Sequence, residues 1–239
     1  MSPGPAVPAS LPAPEQVRAD FDRIATLADP DAEHTARYHS FLLAQVPGEC
    51  GHALEVGCGT GAFARALAAR AGHVTAIDFS PVMVRLARER SAGIRNLEIV
   101  EADLLGWPLR PRHYDFIASI ATLHHVPAAP TLAAWARALR PGGVLAVLDV
   151  RSARGPVDRA QTLIAYALSR LLRVLRTGRL RAPAQVRAAW SEHGRREHYL
   201  TIAEARVLGA ECLPGSVVRR HLLWRYSLVW TRPFGREDA

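Results

Sequence analysis

The chain contains no lysine. All 30 of its basic residues are arginine, set against 22 acidic ones, for a formal net charge of +8 at pH 7. Such a balance invites a nucleic-acid partner. The exclusive use of arginine, together with abundant Ala, Pro and Gly, also fits the codon bias of a GC-rich genome, so the charge is weak support for one. Cysteine is scarce. Cys50, Cys58 and Cys212 form no CxxC pair and no metal-ligand spacing, which excludes a disulfide framework and leaves a reduced, cytoplasmic protein with no metal as the expectation. No apolar run approaches the roughly 18–20 residues that span a bilayer. No basic segment followed by an apolar one stands at the start, so a secretory leader is not expected.

What is present suits one α/β domain: 239 residues, 49% of them apolar. Residues 1–14, rich in Pro and Ala and without charge, read as a disordered leader. Residues 15–46 read as a helical cap, with helices over 15–28 and 31–46. Strands and helices then alternate through 52–150. Strands are predicted over 52–56, 73–78, 97–100, 114–120 and 144–150, and helices over 62–71, 81–90 and 129–139. Ser80-Pro81 is an N-cap followed by a proline suited to the first helical position, and Arg140-Pro141-Gly142-Gly143 reads as a break. This alternation predicts a parallel sheet covered on both faces.

Beyond it, residues 155–200 read as a helical insertion or lid, with a long helix over 155–180 and another over 183–191. Residues 201–232 add a helix, opened by the capping box Thr201 to Glu204, and two final strands. Arg170, Arg173, Arg176 and Arg179 recur along the long helix, and Leu168, Leu171, Leu172 and Leu175 supply an apolar face. A solvated basic side, a dimer or lid element, and an interfacial helix on anionic lipid all fit this pattern.

The chemistry concentrates after the first strand. Gly57-Cys58-Gly59-Thr60-Gly61 lies between a strand and a helix, where backbone must turn tightly and approach a ligand. The spacing is GxGxG rather than the GxGxxG of dinucleotide enzymes. Glu55, two residues earlier, would repel a pyrophosphate but suits a ligand carrying an ammonium and a sulfonium. Asp78 ends the second strand, where a carboxylate can accept from both ribose hydroxyls; a helix N-cap fits the same residue. Asp103 follows the third strand, placed to accept from an adenine amino group, with Leu104, Phe79 and Met83 as apolar cover.

Residues of about 50 to 150 resemble the class I SAM-dependent methyltransferases, in particular the small-molecule branch of the ubiquinone/menaquinone-biosynthesis type. The segments carrying the resemblance are Leu54 to Gly61, Asp78 to Met83, Ala102-Asp103 and Leu139 to Gly143. It implies a Rossmann-like seven-stranded sheet with the last strand antiparallel, and S-adenosyl-L-methionine as cofactor, released as S-adenosylhomocysteine. It also implies a cofactor site of Glu55, Gly57, Cys58, Gly59, Gly61, Asp78, Phe79, Met83, Asp103, Leu104 and Ala121. The fourth strand runs into Ala121-Thr122-Leu123-His124-His125, beside the expected methyl. The Asn/Asp-Pro-Pro-aromatic motif of amino-methyltransferases is absent there, which favours a small acceptor over a nucleic-acid base.

His124 and His125 are the catalytic candidates, because imidazole titrates in the useful range. Tyr38, His125, His198 and Tyr199 are substrate-side candidates, with His39, His193, His221, Trp224 and Tyr226 behind them. Trp224, Tyr226, Leu228 and Trp230 equally fit one face of a strand. The expected function is methyl transfer from SAM to a small organic acceptor at O, N, C or S, by a monomer or homodimer open to peripheral membrane contact. An RNA or protein methyltransferase and a non-catalytic SAM-binding protein are the alternatives. A salt-dependent gel shift would mark the RNA case, and absence of turnover the non-catalytic one.

Overall fold

The computed structural model describes residues 12–27, 36–154, 156–178 and 180–234. Most of the expected leader, residues 31–35 of the expected second helix and Arg179 lie outside the described residues. So do the side chains of Arg173 and Arg176.

Seven strands form one sheet: β1 (His52–Val56), β2 (His73–Asp78), β3 (Leu97–Glu101), β4 (Tyr114–Ile120), β5 (Leu139–Val150), β6 (Val217–Arg220) and β7 (Arg225–Thr231). Their order is β3-β2-β1-β4-β5-β7-β6. The first five run parallel. β7 is antiparallel to both β5 and β6. Two consequences position the site. The order reverses between β1 and β4, opening a crevice at their carboxyl ends. Because β7 runs the other way, its first residue, Arg225, lies at that same edge, opposite Val150.

The strands form because their residues are apolar on both faces, as parallel strands between helix layers require. Leu54, Val56, Ile117, Leu145 and Val147 point to one side. There they meet Trp135 and Leu132 of α5 (Ala128–Ala138) and Ala205 of α8 (Ile202–Cys212). Ala53, Phe116, Ala118 and Ala146 point to the other side, under Leu42 of α2 (His39–Leu43) and Phe63 and Leu67 of α3 (Ala62–Ala68). Both sequence-read caps form. Ser80 Oγ accepts from Met83 N at 3.1 Å to open α4 (Pro81–Arg90), and Thr201 and Glu204 make both bonds of the capping box.

Four expectations change. β5 begins at Leu139, so Pro141-Gly142-Gly143 is a detour inside a strand and no break. The register against β4 jumps from Tyr114–Leu139 to Phe116–Val144. The detour is held from afar: Arg232 donates to the carbonyls of Ala136, Arg137 and Leu139. The second helix opens with a 3₁₀ turn at Ala36–Tyr38 and is only five residues long. The long helix, α6 (Pro156–Thr177), ends short of the expected residue 180, and its Leu171 and Leu175 are exposed. Trp224 precedes β7 at φ +58° and packs on Tyr166, while Tyr226, Leu228 and Trp230 do share one buried face. No described helix is long and apolar enough to cross a membrane.

Over the carboxyl edge of the sheet lie α1 (Pro14–Leu27) and α7 (Ala184–Gly194), which pack on each other. Arg23 to Glu192 at 3.0 Å and Arg196 to Asp20 at 3.2 Å tie the two at their rim.

Candidate active site

The chain leaves β1 through the glycine loop, and Gly57 and Cys58 both donate to Ile77 O, at 2.9 and 3.0 Å. Gly57 has φ +74°, and a Cβ on it would stand 2.0 Å from Thr122 Oγ1. The loops after β1 and β4 therefore touch at Gly57, where any side chain would stand in the way. Gly59, at φ +51°, donates to Asp78 Oδ2 at 2.8 Å. Asp78 Oδ1 accepts from Ser80 N at 3.0 Å. One carboxylate thus fastens the glycine loop to the start of α4. Burial pushes the Asp78 carboxyl above its usual range, against the pull of these amides.

These residues wall a cavity of about 990 Å³, roofed by Val17, Phe21 and Ile24 of α1 and Val186 and Trp190 of α7. Glu55, Gly57, Cys58, Gly59, Asp78, Phe79, Met83, Asp103, Leu104 and Ala121 all line it. Glu55 is buried. Asp103 uses one oxygen to hold Leu105 N at 2.9 Å. Burial raises the Cys58 thiol well above its ordinary range, so it is a neutral packing group. Gly61 is not a wall: it starts α3 against Ala87 of α4.

The opposite wall holds imidazoles. His124 donates its backbone N–H to Asp149 Oδ2 at 3.0 Å, and its Nδ1 lies 2.6 Å from Asp149 Oδ1. An ionised carboxylate only accepts, so Nδ1 carries the proton and Nε2 is left as the basic nitrogen. His125 Nδ1 is 3.1 Å from Glu197 Oε2, an ion-pair distance without hydrogen-bond alignment. His193 reaches Asp20 Oδ2 at 3.2 Å and Glu197 Oε1 at 3.8 Å. Burial pushes Glu197 up, but His125, His124 and His193 together hold it below its usual range.

One ring nitrogen from each of His124, His125 and His193 lies within 4.8 Å of the others. Zinc with bonds of about 2.1 Å in a tetrahedron would draw such nitrogens to roughly 3.4 Å of one another. The set as it stands is therefore a carboxylate-supported imidazole cluster that would have to contract to hold an ion.

Tyr199 lies beside His124, ring centres 5.0 Å apart, and burial with the Glu197 and Asp149 charges pushes its hydroxyl up to about 12. It lines the cavity, as does His39. Tyr38 does not: its hydroxyl donates to Leu222 O. His198 is exposed and is no wall either. The sequence reading missed Asp20, Asp149, Glu197 and Arg225. Each reaches the site from a different element, and no motif announces it.

Burial lowers the His125 imidazole below its usual 6.5, despite Glu197. Between those two values the unfolded chain binds the extra proton, so this group's contribution to stability is lost as pH falls through the window. His39, His113 and His221 are lowered by burial too. The melting temperature is therefore expected to fall from pH 7 to pH 5, and His125→Phe to flatten that slope. An unchanged slope in thermal melts across this range would show that His125 is not the buried neutral group described.

The methyltransferase-domain family matches residues 53–143. An uncharacterised methyltransferase of Mycobacterium tuberculosis is 30% identical over 199 residues, covering 82% of this chain and 94% of that protein. A ubiquinone biosynthesis O-methyltransferase of Xylella fastidiosa is 35% identical over 135 residues, 54% of this chain and half of that protein. Among solved structures, the complex of DhpI with S-adenosylhomocysteine shares the fold, with a TM-score of 0.59 at 21% identity, over 94% of this chain and all of that one. The chain belongs to the class I SAM-dependent methyltransferases.

Proposed function

We propose that this enzyme methylates a small organic acceptor inside the roofed cavity. The observation that carries the reading is the cavity itself. At about 990 Å³ it stands at the top of the range for small-molecule sites, roughly 300–1,000 Å³. One wall is acidic and glycine-rich; the other is histidine-lined and aromatic. In this reading Glu55 meets the cofactor's ammonium, Asp78 the ribose, and Asp103 with Leu104, Phe79 and Met83 the adenine. Helices α1 and α7 form the lid, and the protein works in the cytoplasm.

SAM supplies a methyl group on sulfonium, open to in-line displacement. The chain's task is to hold the nucleophile in line and keep water out. His124, fixed by Asp149, offers Nε2 to a hydroxyl, thiol or ammonium that must lose its proton. His125 keeps the adjoining wall neutral, and Phe21, Trp190 and Tyr199 give the acceptor an apolar berth.

Asp149→Asn tests the dyad. The amide can donate to Nδ1 and turn the imidazole to the wrong tautomer. Turnover is expected to fall about 10²–10⁴-fold, the usual contribution of a positioned base, with SAH affinity by calorimetry within about threefold. Undiminished turnover would show that positioning alone carries the reaction. Methylation assays against panels of small hydroxylated, amino and thiol compounds, with RNA and protein as competitors, test the acceptor class. Labelling of RNA or protein alone would overturn it.

A further inference from the structure

Three arginines line the cavity: Arg181, Arg187 and Arg225. Arg225 is largely buried. Its guanidinium makes no hydrogen bond or salt bridge among the described residues, and its Nε is buried without a partner. The carboxylate whose charge acts most on it is Asp149, but the oxygens of that carboxylate already accept three hydrogen bonds from other donors. Oδ1 accepts from His124 Nδ1 and from Val150 N at 2.7 Å, and Oδ2 from His124 N. Tyr199 and Tyr38 are neutral hydroxyls at ordinary pH, since burial raises both. Arg181 and Arg187 add to the positive charge. A largely buried guanidinium whose donors are left without acceptors is costly to keep. An anionic ligand group would relieve that strain, and a guanidinium grips a carboxylate or phosphate with two parallel bonds.

The sheet fixes where such a group would lie. Adenosine-side residues sit at the ends of β3 and β2, the glycine loop at β1, His124 after β4, and Arg225 at the start of β7, beyond β5. Neighbouring strands are about 4.8 Å apart, so β7 lies roughly 10 Å past β4 on the side away from the adenosine wall. We infer that Arg225 is an anion subsite for the acceptor, whose nucleophile meets His124 while a carboxylate or phosphate on the same molecule binds the guanidinium. This rests on the small-molecule reading and narrows it to anionic acceptors. The carboxylate of the cofactor's own methionine part is the rival source of the same chemistry.

The SAH-loaded enzyme is titrated by calorimetry with benzoate, benzamide and inorganic phosphate, as wild type, Arg225→Met and Arg225→Lys. The wild-type complex is expected to bind benzoate or phosphate at least tenfold more tightly than neutral benzamide. Arg225→Met should erase that preference and Arg225→Lys keep part of it, with SAH affinity within threefold in both. No anion preference in the wild type would overturn the subsite, whether or not the Met variant folds. A tenfold loss of SAH affinity with anion binding intact would overturn it too, assigning Arg225 to the cofactor. Failure of the small-molecule reading registers separately: the anion preference would persist while no small acceptor is methylated.

Discussion

Gly57→Ala is expected to abolish measurable SAM binding and to destabilise the domain by about 2–5 kcal/mol. Two costs combine. An L-residue at φ +74° carries a penalty of about 1–2 kcal/mol. The added methyl would also stand 2.0 Å from Thr122 Oγ1 and 2.9 Å from its Cβ and Cγ2, and overpacking of this kind costs about 1–3 kcal/mol. Thr122 cannot easily yield, since its hydroxyl donates to Ile120 O at 3.1 Å. The loops after β1 and β4 would separate, and both wall the cavity. Denaturant titration and calorimetry with SAH measure the two effects. Thr122→Ala in the same chain removes Oγ1 and Cγ2, so the pair should be less damaging than the two single changes together by about 1 kcal/mol or more. Strict additivity would show that the two loops do not meet.

That contact illustrates what the sequence makes visible. The glycine spacing shows where backbone must come close to something, but Thr122, the residue it approaches, follows β4 and is found only in three dimensions. The central strands were readable to the residue at 52–56, 73–78 and 114–120, because strands buried on both faces are continuous apolar runs ended by Gly, Asp or a polar turn. Ser80-Pro81 and Thr201–Glu204 were readable because a cap is a local agreement between side chain and backbone. The start of β5 was not. Pro141-Gly142-Gly143 has the composition of a break, and what makes it a detour in a strand is Arg232, bonded 93 residues away to Leu139 O.

The site divides along the same line. The wall proposed for the cofactor follows the ends of β1, β2 and β3, where position in a repeating βα unit identifies a residue. The wall proposed for the acceptor is assembled across the chain. His124 was named from the sequence, but its partner Asp149 is 25 residues on. His193 meets Asp20 across 173 residues. Arg225 gains meaning only because β7 runs antiparallel and brings its first residue back to the active edge. Tyr38 and His198 had the right chemistry for the acceptor wall. Tyr38 is buried with its hydroxyl spent on Leu222 O, and His198 faces solvent.

Asp78→Ala is the second large expected effect, and the structure changes its form. From the sequence, Asp78 is a ribose acceptor whose loss should weaken SAM binding by about 1–3 kcal/mol. In the structure it also holds Gly59 N and Ser80 N. The variant therefore leaves two backbone donors without their acceptor beneath the cavity, each worth about 1–3 kcal/mol where water cannot replace the bond. Stability of the free protein should fall together with SAM affinity, so affinity alone does not establish the ribose role. A ligand cycle separates them. Wild type should bind SAH about tenfold or more tightly than its 2′-deoxy analogue, and Asp78→Ala should lose that preference while binding both weakly. If the variant is weak for both but still prefers the intact ribose, Asp78 acts by clasping the loop, and the ribose hydroxyls are held by another group.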